Sequence, residues 1–295
     1  MKTFRTEDYF ISLFLFLFFC GMYAVSGYGM VAPYRDSGDL VVAAYSLGIP
    51  HPPGYVLYIL CGKIIAWALP WGNMAYRINF FSVICGAWSV SFLYLILRHY
   101  ARILPSLTGA GCFAMIPSLW RLSQVSEMYS FNLCIAAFIL LWLVKDNKAS
   151  RCVSLTALMC GVGVANHQTL MFFFPGYALL MWYKFFRGRQ FKHILKLMLV
   201  SLGFFFAGIC IHLFLPIRSL TEPLLDWGNP ESLRNFWRMV SRSDYGLLKL
   251  HPEEKCFGLV FYGHNKTNSF FWACFKNSVR MAGLHCGIGW IRLCI

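Results

Sequence analysis

The chain has 295 residues, of which 58% are hydrophobic, 18% aromatic and only 13% charged, with a mean hydropathy of +0.57. Soluble domains usually carry about 25% charged residues, so this composition excludes an ordinary soluble protein and predicts an all-α polytopic membrane protein. The net charge of +14 does not indicate nucleic acid: binders of nucleic acid gather basic residues on a polar domain, whereas here they fall in short bursts between apolar runs.

A membrane crossing needs about 20 mainly apolar residues, within a range of about 17 to 25. In chain order, residues 9–27, 78–97, 103–120, 128–144 and 194–216 meet that requirement. The first run, preceded by Lys2 and Arg5, also reads as a signal peptide, an alternative that leaves the side of the following loop unchanged. Residues 55–69 are apolar but interrupted by Lys63 and closed by Pro70, which predicts an amphipathic helix on the membrane surface. Residues 152–183 divide around Asn166-His167-Gln168, with Pro175 in the second piece. Each piece is marginal for a full crossing, which leaves a helical hairpin or a pair of broken helices open beside it. The resulting organisation is a transmembrane region of about seven spans over 1–217, a lumenal segment over 218–275 and a tail over 276–295.

Positive charge favours cytosolic loops. If 55–69 does not cross, the basic bursts share one side: Lys2 and Arg5; Arg98 and Arg102; Lys145, Lys148 and Arg151; then Lys184 through Lys196. The opposite side receives 36–54, 123–129, 166–168 and everything after Arg218. It also receives the glycosylation sequon at Asn265-Lys266-Thr267, so two signals assign this side to the lumen. Cys256, Cys274, Cys286 and Cys294 lie on it and could pair there, in a pattern that sequence cannot assign.

The chain is poor in acids, and between Tyr9 and Val144 the only carboxylates are Asp36, Asp39 and Glu127. With His51, Gln124, Tyr129, Asn166, His167, Gln168 and Arg218 they collect on the predicted lumenal edge. Ionisable groups at membrane depth are costly and tend to be functional. The structural alternatives are that Asp36 and Asp39 cap a following helix and that Asn166 ends one. A carboxylate beside a desolvated pocket can deprotonate an alcohol, and guanidinium groups such as Arg35, Arg77, Arg121 and Arg218 can hold phosphate oxygens. That pairing suits transfer of a group from a lipid-phosphate donor. There is no Gly-x-x-x-x-Gly-Lys-Ser/Thr loop and no His-Glu-x-x-His, and no metal or cofactor is expected. His212 and Gly161-x-Gly163 read as helix-packing features, and the runs Phe172–Phe174 and Phe204–Phe206 as lipid-facing or core residues.

The stretch Asp36-Ser-Gly-Asp39-Leu-Val-Val-Ala-Ala-Tyr-Ser-Leu-Gly-Ile-Pro-His51-Pro-Pro-Gly54-Tyr resembles the first lumenal loop of a GT-C-type membrane glycosyltransferase family. Its animal member is the endoplasmic-reticulum protein O-mannosyltransferase acting on IPT domains of plexins and related receptors. Ser123-Gln-Val-Ser-Glu127-Met-Tyr-Ser-Phe-Asn132, Ala165-Asn-His-Gln-Thr169, Leu215-Pro-Ile-Arg218-Ser and Asp226-Trp-Gly-Asn-Pro230 follow in matching order, to about Tyr245-Gly246. The resemblance implies a multi-span enzyme that moves mannose from dolichyl-phosphate mannose to Ser or Thr hydroxyls of lumenal receptor domains. It implies Asp36 as the catalytic base, with Asp39 second. Arg218 and Arg77 become expected phosphate contacts, and His51, Glu127, Asn166 and His167 pocket residues. Residues after about Lys276 match nothing in that family and read as an alternative terminus of a shortened form. A truncated, catalytically inactive chain or a transporter-like or scaffold membrane protein is therefore the second reading.

Overall fold

A computed structural model describes residues 4–245, which form an all-α membrane bundle with no β-strand among the described residues. The first helix, α1 (Thr6–Val25), buries Ser12, Leu15, Phe19 and Tyr23 and exposes Phe10, Phe14, Leu17 and Phe18. The three- and four-residue spacing of the buried set is one helical face, so the exposed aromatic stripe is the surface offered to lipid. Its inward face seats on α4 (Met74–Tyr100), the 27-residue central helix, where Ser12 Oγ lies 2.6 Å from Ser91 Oγ. The Asn73 side chain opens α4 by accepting from Tyr76 N at 2.9 Å. Packed against α4 are also α3 (Val56–Ala68) and α7 (Met128–Lys145).

Among the described residues, four stretches are long and apolar enough to cross a membrane: Thr6–Val25, Met74–Tyr100, Met128–Lys145 and Phe191–Ser219. The last comprises α10 (Phe191–Ile209), one tight turn and α11 (Phe214–Ser219). Residues 103–120, expected as one span, are instead two helices: α5 (Ile103–Ala114) and α6 (Pro117–Leu122). Pro117 has no N–H to donate, and its ring drives Ile116 to an extended ψ of 125°. At about 1.5 Å per residue, the 12 residues of α5 and 13 of α3 fall well short of the roughly 30 Å hydrocarbon layer. The 152–183 region, left open by its sequence, is broken into α8 (Ala149–Val164), a 3-10 turn (Gln168–Phe173) and α9 (Phe174–Met181).

Small residues bring α8 and α10 together. A Cβ at Gly161 would collide with the Phe205 carbonyl oxygen, and one at Gly208 with the Leu158 carbonyl. Such backbone proximity is what small residues permit between membrane helices. Gly161→Leu is therefore expected to destabilise the bundle by about 1–3 kcal/mol or more through overpacking, read as a lower melting temperature in detergent. An unchanged melting temperature would contradict this packing.

The two ends of the bundle differ in chemistry. At one end Arg98 Nε pairs with buried Asp8 at 2.6 Å, Lys145 Nζ reaches Tyr9 Oη at 3.0 Å, and Arg151 pairs with Asp146 at 2.8 Å. There Lys184 Nζ also donates to the carbonyls of Leu143, Val144 and Asp146, partners that satisfy the open C-terminus of α7. The basic bursts are thus gathered at this end, and the acid-bearing loops lie at the other.

Candidate active site

The short helix α2 (Ser37–Ser46) presents the two aspartates. Leu40, Val41, Ala43 and Ala44 bury one face of it, which leaves the start of the helix at the open end of the bundle. Asp36 occupies the N-cap position, yet its side chain makes no capping hydrogen bond. Its Oδ2 instead lies 3.4 Å from His51 Nε2. Asp39, one turn on, accepts from the His51 backbone N–H at 3.1 Å and pairs with His51 Nδ1 at 2.6 Å. His51 is thus held between two carboxylates, and the capping alternative for Asp36 does not describe its side chain.

The loop is fixed from several directions. Asn79, on α4, donates to the carbonyls of Tyr28 and Met30 at 2.9 Å and accepts from Ser126 Oγ at 2.6 Å. Glu127 Oε1 accepts from the Asp36 backbone N–H at 3.2 Å. Tyr55, in a left-handed conformation with φ of 40°, places its hydroxyl 3.1 Å from His51 Nε2 and its ring nearly parallel to His167, with centroids 5.8 Å apart. Beyond α11, Ile49 pairs with the 225–227 segment through Ile49 N–H to Leu225 O at 2.7 Å and Trp227 N–H to Ile49 O at 3.0 Å. That pairing brings the Trp227 ring within 6.4 Å of His51.

Charge is distributed unevenly here. The hydrogen bond from His51 holds the Asp36 carboxyl below the usual carboxylate range, against the opposing effect of burial. Burial alone would depress the His51 pKa, but bonds to and charges of Asp36 and Asp39 outweigh it and push the imidazole up to about 9. Glu127 is fully buried, and this desolvation, reinforced by the Asp36 charge, lifts it to about 7. Burial takes His167 the other way, down to about 4, so its imidazole is neutral. Its Nδ1 accepts from Thr169 N–H at 3.1 Å.

Glu127 Oε2 and Asn166 Oδ1 are buried without a hydrogen-bond partner among the described residues, and such atoms call for a specific explanation. For Glu127 the consequence is measurable. A carboxyl raised above its unfolded value of 4.5 costs stability as pH climbs through about 7. Glu127→Gln keeps an acceptor for Asp36 N–H and removes that cost. It is expected to raise stability at pH 8 by on the order of 2–4 kcal/mol and not at pH 4, measured by thermal melts at both values. Equal melting temperatures of the two proteins at pH 8 would contradict the buried, raised carboxyl.

Asp36, Asp39, His51, Glu127 and His167 are thus drawn together, with Asn166 beside them through Asn166 Nδ2 to Met128 O at 3.1 Å. The two arginines expected at a phosphate are occupied otherwise. Arg218 donates to Leu47 O at 2.7 Å, Ser46 O at 3.0 Å and Thr221 Oγ1 at 2.8 Å. It is the C-terminal cap of α2, where a cation also complements the helix dipole. Arg77 donates to Ala66 O, Trp71 O and Gly72 O at 3.1–3.2 Å, closing α3 in the same way. Asn265 lies outside the described residues. Sequence reasoning missed Tyr55, Asn79 and Trp227. Tyr55 closes the first stretch quoted for the resemblance and Trp227 lies in the last, yet neither was given a role, and Asn79 sits inside an apolar run.

Comparison with known proteins identifies a family. The family model described as the protein O-mannosyl-transferase TMEM260 N-terminal domain matches residues 36–190, more than half of the chain. The chain is similar to the protein O-mannosyl-transferase TMEM260 of Mus musculus, 29% identical over 230 residues, which cover 75% of this chain and 32% of the mouse protein. It is similar also to the tmem260 protein O-mannosyl-transferase of Dictyostelium discoideum, 27% identical over 253 residues, covering 78% of this chain and 30% of that protein. The chain therefore spans about a third of the length of these curated relatives. No solved structure matches. By the family match, which begins at Asp36 and takes in Asp39, His51, Glu127 and His167, the chain belongs to the TMEM260 protein O-mannosyl-transferase family.

Proposed function

We propose that the acid end of this bundle transfers mannose from dolichyl-phosphate mannose to Ser or Thr hydroxyls of IPT-type receptor domains in the lumen of the endoplasmic reticulum. Residues 1–217 are its catalytic membrane region. The relatives' names support a sugar donor and a protein acceptor. The observation that carries the assignment of the base is that Asp36, with a side chain 38% exposed, is kept ionised by His51. A carboxylate that is accessible and anchored at one oxygen can take a proton with the other.

In the proposed step the acceptor hydroxyl gives its proton to Asp36 while its oxygen forms a bond to the anomeric carbon. The bond from that carbon to the phosphate oxygen breaks, and the lipid phosphate leaves with the electron pair. His51, fixed by Asp39, aims Asp36 and prevents it from resting in the protonated state. The two aspartates therefore have different work: Asp36 meets substrate, and Asp39 acts through the imidazole.

The test uses the full chain in lipid nanodiscs with radiolabelled polyprenyl-phosphate mannose and a purified IPT domain. Label is expected on the domain from the lipid donor, and not from GDP-mannose. It is expected to vanish when the acceptor hydroxyls are replaced by Ala. Label delivered equally well by GDP-mannose would overturn the donor, and failure to label any acceptor from the lipid donor would favour the inactive reading.

A further inference from the structure

Two of the arginines available for phosphate are spent on helix ends, which leaves the question of what meets an anion beside Asp36. One guanidinium stands out. Arg242 follows α12 (Leu233–Val240) and adopts a left-handed backbone with φ of 55°, a conformation that side-chain-bearing residues rarely take. Its N–H is held by Met239 O at 3.2 Å, and its own carbonyl accepts from Tyr245 N–H at 2.9 Å. This turn folds the guanidinium back over the Tyr245 ring, 5.8 Å from the centroid. The Tyr245 ring in turn lies 6.4 Å from His51, whose Nε2 faces Asp36. Arg242 is thus one aromatic ring removed from the imidazole that holds the proposed base.

Three further observations fit a ligand contact. The Arg242 Nε is buried, yet among the described residues it meets no acceptor. Its charge bears on Asp36, His167 and Tyr55, the groups that line the site. The nearest acid in sequence, Asp244, is taken by Arg238 at 2.6 Å. Asp36 already faces His51 and Arg35, and Asp39 is paired with His51 at 2.6 Å. A guanidinium whose buried Nε meets no acceptor among the described residues is suited to phosphate oxygens, which its planar fork grips at two points.

We infer that Arg242 is the anion contact of this site and that the group it holds is the phosphate of an isoprenoid-phosphate lipid. The inference rests on the proposed function, because it is the transferred sugar's carrier that would be held there. Arg218 and Arg77 then serve the fold, and Arg242 serves the ligand.

The test measures binding to the full chain in nanodiscs, without scoring transfer, so a chain that fails to move mannose still answers it. The probes are polyprenyl phosphate and, as its uncharged match, polyprenol. Arg242→Gln is expected to weaken polyprenyl phosphate by about 10- to 100-fold and to leave polyprenol within about twofold. Arg242→Lys should recover part of the loss, since a point charge replaces the fork. In wild-type protein, polyprenyl phosphate should shield Arg242 from phenylglyoxal in peptide mapping while polyprenol does not, a readout independent of any variant's folding. Equal weakening of both probes, an unchanged phosphate affinity, or no selective shielding would overturn the inference. Shielding by inorganic phosphate or phosphatidylglycerol as strong as by polyprenyl phosphate would overturn the isoprenoid part of it.

Discussion

Asp36→Asn is expected to lower mannosyl transfer by about 10²–10⁴-fold, the range over which a positioned general base contributes, while donor binding stays near the wild-type value. The amide is nearly isosteric and keeps an oxygen facing His51, so the backbone contact from Asp36 N–H to Glu127 at 3.2 Å persists. What is lost is the capacity to accept a proton. Asp39→Asn should act differently. Its carboxylate is bound to the His51 ring at 2.6 Å and the His51 backbone at 3.1 Å, so the change loosens the imidazole and leaves the base in place. Transfer is measured as initial rates across pH. A loss that is deeper in Asp39→Asn than in Asp36→Asn would reverse the assigned roles.

His51→Gln carries the second large effect, and it has two separable signatures. The hydrogen bond from His51 is the foremost cause of the low Asp36 pKa, so the acid limb of kcat/KM should move to higher pH in the variant. The rate at its optimum should fall by about 10²-fold, the loss that a misplacement of about 1 Å in a reacting group produces. Stability has its own pH signature. The folded His51 pKa of about 9 lies above its ordinary value of 6.5. The stabilisation it brings is therefore fully present below about pH 6.5 and is lost as pH rises through about 9. On that shift it amounts to on the order of 2–4 kcal/mol. Melting temperatures of the wild type should fall across that window, and those of His51→Gln should not. Parallel curves would contradict the clamped imidazolium.

The four long apolar stretches were legible in sequence, the fourth as the expected 194–216 against Phe191–Ser219, because each is an uninterrupted apolar run. The expected 9–27, 78–97 and 128–144 lie within a few residues of Thr6–Val25, Met74–Tyr100 and Met128–Lys145. Hydropathy averages over a window, and that is why 103–120 misled: the run stays apolar through Pro117, and only the backbone chemistry of proline divides it. Among site residues, Asp36, Asp39 and Glu127 were visible because acids are scarce in this chain. The functions of Arg218 and Arg77 were not visible. Arg218 caps a helix that ends some 170 positions earlier in the chain, and composition carries no record of such a contact. Arg77 is anchored to carbonyls of Ala66, Trp71 and Gly72, a cap that depends on how the chain turns between α3 and α4. Trp227 reaches His51 through the pairing of Ile49 with the 225–227 segment, and the glycine-flanked sequence around it gives no sign of its partner.

The positions of the basic bursts were read from charge alone, and the structure gathers them at one end through Asp8–Arg98, Asp146–Arg151 and the Lys184 contacts. The same segregation leaves Asp36 at the end opposite the basic bursts, which is the acceptor's side in the proposed function. The expected membrane sidedness and the proposed catalytic assignment are therefore linked, since the positive-inside rule assigns the basic end to the cytosol.

The central claim is that Asp36 supplies the carboxylate that receives the acceptor's proton, and chemical rescue tests it most directly. The initial rate of mannose transfer from polyprenyl-phosphate mannose is measured for Asp36→Ala with and without added formate. Transfer close to background without formate, partly restored by it, is the predicted result. An Asp36→Ala protein that transfers mannose at the wild-type rate without formate would contradict it.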